Sequence, residues 1–137
     1  MKHKLGKSSL LKLSSVRDDL YKVVVRANEI SNTKYGLDFG VGEGARTYER
    51  QVTMLNAGAT TTLKSRHIIR PNESKCHAVD LYAYVGGEYV DEVKYYQVIA
   101  KSMFQAAIEL GVQIEWGGHW VSFRDLFHFQ LSWEFYP

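Results

Sequence analysis

The sequence predicts an α+β fold, a small and mainly antiparallel sheet packed with helices. Three observations predict it. Three stretches repeat apolar residues at helical spacing, four short ones alternate like strands between glycine-rich turns, and no regular βαβ rhythm joins them. A chain of 137 residues suits one domain, here residues 1–137, and can bury a core without disulfides.

Residues 1–13 form a basic start, with Lys2, Lys4, Lys7, Lys12 and His3, expected as a flexible, solvated tail. Ser15 then caps a helix whose third position is Asp18, an imperfect capping box. Its apolar face runs Val16, Leu20, Val23, Ala27 and Ile30, and Asn32 and Gly36 close it. Leu37 to Val41 alternates as a short strand before the turn Gly42-Glu43-Gly44. Thr47 to Asn56 reads as a second helix ended by Gly58, and polar Thr60 to Cys76, with Pro71 and Asn72, as a loop. His77 to Tyr84 is a strand bounded by Gly86-Gly87. Asp91 to Leu110 is the clearest helix, with Tyr96, Ile99, Met103, Ala107 and Leu110 on one stripe and Gly111 as its C-terminal cap. Val112 to Trp116 and Phe127 to Phe135 complete the strands.

Composition narrows function. Apolar residues make up 45% and charged residues 23%, the balance of a globular protein. A net charge of +2 is too small to make nucleic acid the expected partner. Cys76 is the single cysteine, which excludes an internal disulfide and a four-cysteine zinc knot and suits a reducing cytoplasm. The apolar part of the start, Leu10-Leu11-Lys12-Leu13, is short and interrupted by lysine, so no signal peptide is expected. No stretch approaches the ~20 apolar residues of a membrane span, so stable membrane insertion is not expected either.

Two segments carry candidate chemistry: SRHIIRPNESKCHAVDL, Ser65 to Leu81, and WGGHWVSFRDLFHFQL, Trp116 to Leu131. Histidine and aspartate suit a catalytic zinc, which takes three protein ligands and keeps a fourth position for water. Alternation puts Asp80 on the face of its strand opposite Val79 and Leu81, and His128 on one face with Gln130 and Ser132. The two meet if these strands are neighbours. Asp125 stands three residues before His128, so a bend near Leu126 would bring its carboxylate beside the metal to take a proton from bound water. Each residue alone also has an ordinary reading: a packed histidine, a turn aspartate, a surface charge.

Together the motifs SRH…HAVDL and WGG-x-W…D-x-x-HF-x-L, with EGARTYERQ (Glu43 to Gln51) upstream, are in family order across residues 42–133. They resemble the zinc peptidases that include VanY-like D-Ala-D-Ala carboxypeptidases, L-alanyl-D-glutamate endopeptidases and many single-domain phage endolysins. The resemblance implies a hedgehog/DD-peptidase-like fold and zinc bound by His67, Asp80 and His128. It implies that Asp125 is the catalytic carboxylate and that Arg46 faces the substrate, binding a carboxylate or stabilising the oxyanion. Ser65 takes the place of a serine that binds substrate, supports a ligand or has a plain structural role, and Gln51 fits the arginine motif with a structural role.

Three departures stand out. In the compact form of the first motif the two ligands lie closer in sequence, whereas here His67 and Asp80 are thirteen residues apart across a longer loop. That leaves His77 as an alternative to His67. Cys76 adds a soft ligand beside the site or an ordinary free thiol. His119 stands where many relatives have aspartate. Trp116, Trp120, Trp133, Tyr82 and Tyr84 line a peptide or sugar groove or belong to the core.

The expected function is zinc-dependent hydrolysis of peptidoglycan stem peptides, foremost between L-alanine and D-glutamate, by a monomeric phage endolysin acting in host lysis. Such an enzyme is made in the host cytoplasm and acts on the wall in the periplasm after release. The alternatives are a D-Ala-D-Ala carboxypeptidase, a non-catalytic peptidoglycan-binding or virion protein, and a zinc-binding regulator.

Overall fold

The computed structural model describes residues 5–60, 65–122 and 124–137. Lys2, His3 and Lys4 of the basic start, residues 61–64 of the expected loop and Phe123 lie outside them. The elements run α1 (Lys7–Leu13), α2 (Asp18–Tyr35), β1 (Asp38–Glu43), α3 (Tyr48–Asn56), β2 (Ala78–Val85), β3 (Glu88–Val90), α4 (Val93–Leu110), β4 (Ile114–Trp116) and β5 (His128–Leu131). The fold is α+β, as the sequence predicts.

The sheet order is β1-β2-β5-β4, and every pairing is antiparallel. Strand β2 is its spine. One edge pairs with β1, while the other is shared between β5 at residues 78–80 and β3 at residues 83–85. Period-two alternation then sorts the side chains. Val79, Leu81 and Ala83 of β2, Phe39 and Val41 of β1, and Phe129 and Leu131 of β5 are all buried in the core beneath α2 and α4. Asp80, Tyr82, His128 and Gln130 take the opposite face. Helix α4 contributes Tyr96, Ile99 and Met103 to the core, fully buried, and Leu20, Val23, Val24 and Ala27 do the same from α2. Both helices end where expected, on Gly36 and Gly111 in the left-handed conformation. The Tyr96 hydroxyl donates to Val90 O (2.7 Å) and accepts from Ala83 N (3.1 Å), fastening the β2–β3 hairpin to α4.

Four local expectations change. Residues 7–13 form a helix that buries Leu13, although most of it faces solvent. Ser15 does not cap α2. Its hydroxyl donates to Lys12 O (2.7 Å) and accepts from Ala45 N (2.9 Å), because α1 ends just before it and places it between two chain segments; Arg17 holds the N-cap position with no side-chain bond. Gly86-Gly87 bounds β2 as expected, but the turn it makes, with both glycines at positive φ, leads into a further short strand, β3. Strand β5 stops at Leu131 rather than Phe135. Arg66 takes the carbonyls of Leu131 and Tyr136, and Tyr136 N closes a turn onto Ser132 O.

Candidate metal centre

Register builds the centre. Asp80 of β2 lies directly across from His128 of β5, so the two side chains leave the same face of the sheet side by side. His67 arrives from the loop before β2. Its segment is held by Arg46 N donating to His67 O (2.8 Å) and His77 N donating to Arg66 O (3.0 Å). His67 Nε2 lies 3.1 Å from Asp80 Oδ1 and 3.1 Å from His128 Nδ1, and His128 Nδ1 lies 3.3 Å from Asp80 Oδ1. All three residues are buried, and their ligand atoms lie within 4.8 Å of one another.

The outer ring nitrogens decide what this cluster can hold. His67 Nδ1–H donates to Gly44 O (2.7 Å), and His128 Nε2–H donates to Gln130 Oε1 (2.7 Å). With those bonds made outward, His67 Nε2 and His128 Nδ1 converge on the Asp80 carboxylate, and either a proton or a metal cation must sit between them. Two imidazoles with one carboxylate suit zinc. The electrostatics agree. Burial pulls the His128 imidazole down, but the Asp80 hydrogen bond and charge, with Gln130 and Asp125, leave its pKa raised. Burial pushes the Asp80 carboxyl up, yet hydrogen bonds from His128 and His67 hold it below the usual carboxylate range. The pocket attracts positive charge.

Around the cluster lies a cavity of about 660 Å³, lined among others by Arg46, Arg50, Tyr82, Trp120 and Asp125. Asp125 sits in a turn as anticipated, with its Oδ1 accepting from Phe127 N (3.1 Å) and its backbone carbonyl from His128 N (3.3 Å). Burial, then the charge of Asp80, push its carboxyl above the ordinary value. Arg46 is buried and committed: Nε binds Glu43, Nη1 donates to Gln51 Oε1 (2.7 Å), and Nη2 is 3.9 Å from Asp80 Oδ2. Gln51, fully buried, thereby has the structural role expected of it. The Ser65 hydroxyl accepts from His67 N (3.1 Å) and so shapes the loop that delivers the ligand.

The remaining candidates separate. His77 turns away from the cluster to bind Glu73 (2.5 Å), which leaves His67 as the histidine beside Asp80. Cys76 is fully buried in the core, its thiol donating to Ala78 O (3.3 Å), and burial pushes the thiol pKa up to about 11. His119 packs against Trp116 and Phe104 rather than joining the centre. Trp116 belongs to the core and its Nε1–H donates to Leu126 O (2.9 Å). Trp120, tilted over His128 at 5.1 Å, Trp133 and Tyr82 line the cavity; Tyr84 does not. Sequence reasoning missed two cations there. Arg66 is buried beneath the Trp133 ring, at 3.8 Å from its centroid, and Arg50 stands in the first turn of α3, four residues after Arg46.

The family model for phage L-alanyl-D-glutamate peptidase matches residues 1–128. The chain is 31% identical over 124 residues to the L-alanyl-D-glutamate peptidase of Escherichia phage T5, covering 88% of this chain and 83% of that protein. It is 32% identical over 101 residues to the L-alanyl-D-glutamate peptidase of Listeria phage A118, covering 74% of this chain and 33%, about a third, of that longer relative. Among solved structures, the Serratia marcescens L-Ala D-Glu endopeptidase ChiX superposes with a TM-score of 0.84 at 36% identity, over 99% of this chain and 95% of that one.

Proposed function

The chain belongs to the phage L-alanyl-D-glutamate peptidase family, and from that premise we propose that it hydrolyses the L-alanyl–D-glutamate bond of peptidoglycan stem peptides with zinc held by His67, Asp80 and His128. The observation that carries this reading is the triangle of two inward ring nitrogens and a carboxylate, with both histidines pinned from outside by Gly44 O and Gln130 Oε1. Zinc bound there supplies Lewis acidity toward the scissile carbonyl and a water of pKa about 7.

The chain's own groups do the rest. Asp125, across the cavity, accepts the proton of the attacking water and returns it to the departing amine of D-glutamate. Its half-buried carboxylate lines the same cavity as the cluster, where it can take a proton and give it back. Arg46, fixed by Glu43 and Gln51, presents a pre-oriented positive charge beside Asp80 and toward the oxyanion. Ser65 keeps the His67 backbone in place. In this reading the enzyme is a single-domain monomer that serves host lysis, made in the host cytoplasm and acting on the wall in the periplasm. No helix among the described residues is long and apolar enough to cross a membrane.

Mass spectrometry of purified peptidoglycan digested by wild type and by Asp125→Ala, each with measured zinc content, tests it. New L-alanine and D-glutamate termini from the wild type alone, with zinc kept by both proteins, are expected. Loss of terminal D-alanine instead would move the assignment to a carboxypeptidase. No cleavage by folded, zinc-loaded protein would leave a binding protein.

A further inference from the structure

The cavity's arginines are not equivalent. Arg46 is occupied by Glu43, Gln51 and Asp80. Arg66 is occupied as well: its Nη2 donates to the carbonyls of Leu131 (3.1 Å) and Tyr136 (2.5 Å), and its guanidinium lies under Trp133. Arg50 is different. It lines the same cavity from α3, its side chain is exposed, and it stands outside the ion pairs and side-chain hydrogen bonds among the described residues. In the cavity that holds the candidate metal centre, therefore, one guanidinium has no ion-pair partner among the described residues.

The substrate supplies one. In a stem peptide the D-glutamate is joined to L-alanine through its α-amino group and to the third residue through its γ-carboxyl, so its α-carboxyl is free. Ordinary bond lengths put that carboxyl carbon about 2.5 Å from the scissile nitrogen. Whatever holds the scissile bond at the metal centre must then accommodate a carboxylate in the same cavity. Of the carboxylates in the cavity wall, Glu43 and Asp80 are engaged by Arg46 and the histidines, whereas Glu115 and Asp125 leave negative charge that a substrate carboxylate must meet. A free guanidinium removes that penalty, and its planar fork fits a carboxylate through two parallel hydrogen bonds.

We propose that Arg50 binds the α-carboxylate of the D-glutamate on the leaving side of the scissile bond and so makes the enzyme selective for stems whose α-carboxyl is free over stems in which it is amidated to D-isoglutamine. This rests on the peptidase reading above and adds to it the residue that distinguishes two natural forms of the substrate. Arg46, which the family resemblance offered as a carboxylate binder, is left to the oxyanion and to Asp80.

The test is a pair of synthetic muramoyl stem peptides, identical except for D-glutamate or D-isoglutamine, assayed with wild type, Arg50→Gln and Arg50→Lys. Wild type is expected to prefer the carboxylate stem in kcat/KM by about tenfold or more, the scale of one charge-assisted hydrogen bond. That preference should shrink as salt is raised. Arg50→Gln should bring the ratio of the two stems to about one, and Arg50→Lys should restore part of it. A ratio that Arg50→Gln leaves at its wild-type value overturns the proposal, as does a wild type with no preference. A wild type inert on both stems overturns the peptidase reading, and this proposal with it.

Discussion

Gln130 shows how much the centre asks of residues that touch no substrate. Its Oε1 accepts from His128 Nε2 at 2.7 Å, its Nε2 donates to Glu115 Oε1 (3.3 Å), and Glu115 Oε2 accepts from Trp133 N (2.9 Å). This relay runs across the β4–β5 register, where Glu115 and Gln130 are partners. It fixes the amide orientation, which sets the histidine tautomer and aims Nδ1 at Asp80 and His67. Gln130→Met keeps the length and removes the acceptor. It should weaken zinc binding about 10- to 100-fold, read by competition with a chromophoric chelator. Unchanged affinity would mean that packing alone orients His128. The four principal residues, His67, Asp80, Asp125 and His128, were legible in the sequence because the motif pattern marks them. Spacing alone did not bring them together, since pairing of strands nearly fifty residues apart leaves no local trace. Gln130 appeared only as a neighbour on the face of His128, because a relay through side-chain amides has no periodicity to read.

Elements were legible where a long periodic face is buried, as in α2 and α4. They were less so where tertiary contacts decide. Helix α1 has seven residues and one buried position, Leu13, too little to mark a face. Strand β3 has three residues and exists because Gly86-Gly87 can take positive φ and Tyr96 receives the hairpin. The link from β4 to β5 matters most for chemistry. At Gly117 a Cβ would sit 2.3 Å from Asp125 O, and Asp125 N donates to Gly117 O (3.1 Å). The chain passes so close to itself there that glycine sets the position of the Asp125 turn. Gly117→Ala must push that turn outward while the ligand triangle, anchored by β2 and the His67 loop, keeps its place. Stability should fall by about 1–3 kcal/mol, and kcat about tenfold or more, since small misplacements of a catalytic group are expensive. Zinc content should hold. Measuring kcat, zinc per chain and the urea midpoint separates these effects, and a wild-type kcat would show that the turn absorbs the methyl group without moving Asp125.

At the scale of the molecule, the three residues of the candidate centre join the His67 loop to the paired strands β2 and β5. His67 belongs to a loop joined to β1 through Gly44 O and Arg46, Asp80 to the central strand, and His128 to the strand that leads to the C-terminal turn. Without a metal, the Asp80 carboxylate and the His128 imidazole hold each other through a shared proton. A metal in its place would be a cross-link that only the native chain can form. Zinc should therefore stabilise the whole fold by linkage, by about 4 kcal/mol when the free ion is a thousandfold above its dissociation constant. For a domain of this length that corresponds to a Tm rise on the order of 10 °C. Calorimetry with zinc and with excess chelator should show it, in one transition at both conditions, because the ligands span the sheet rather than one loop. Asp80→Asn keeps the size of the side chain and removes the charge that makes the triangle attractive to a cation, so most of the zinc-dependent shift should vanish. A full shift in Asp80→Asn would place the stabilising ion elsewhere. No shift in the wild type would break the link between this cluster and zinc while leaving the fold untouched.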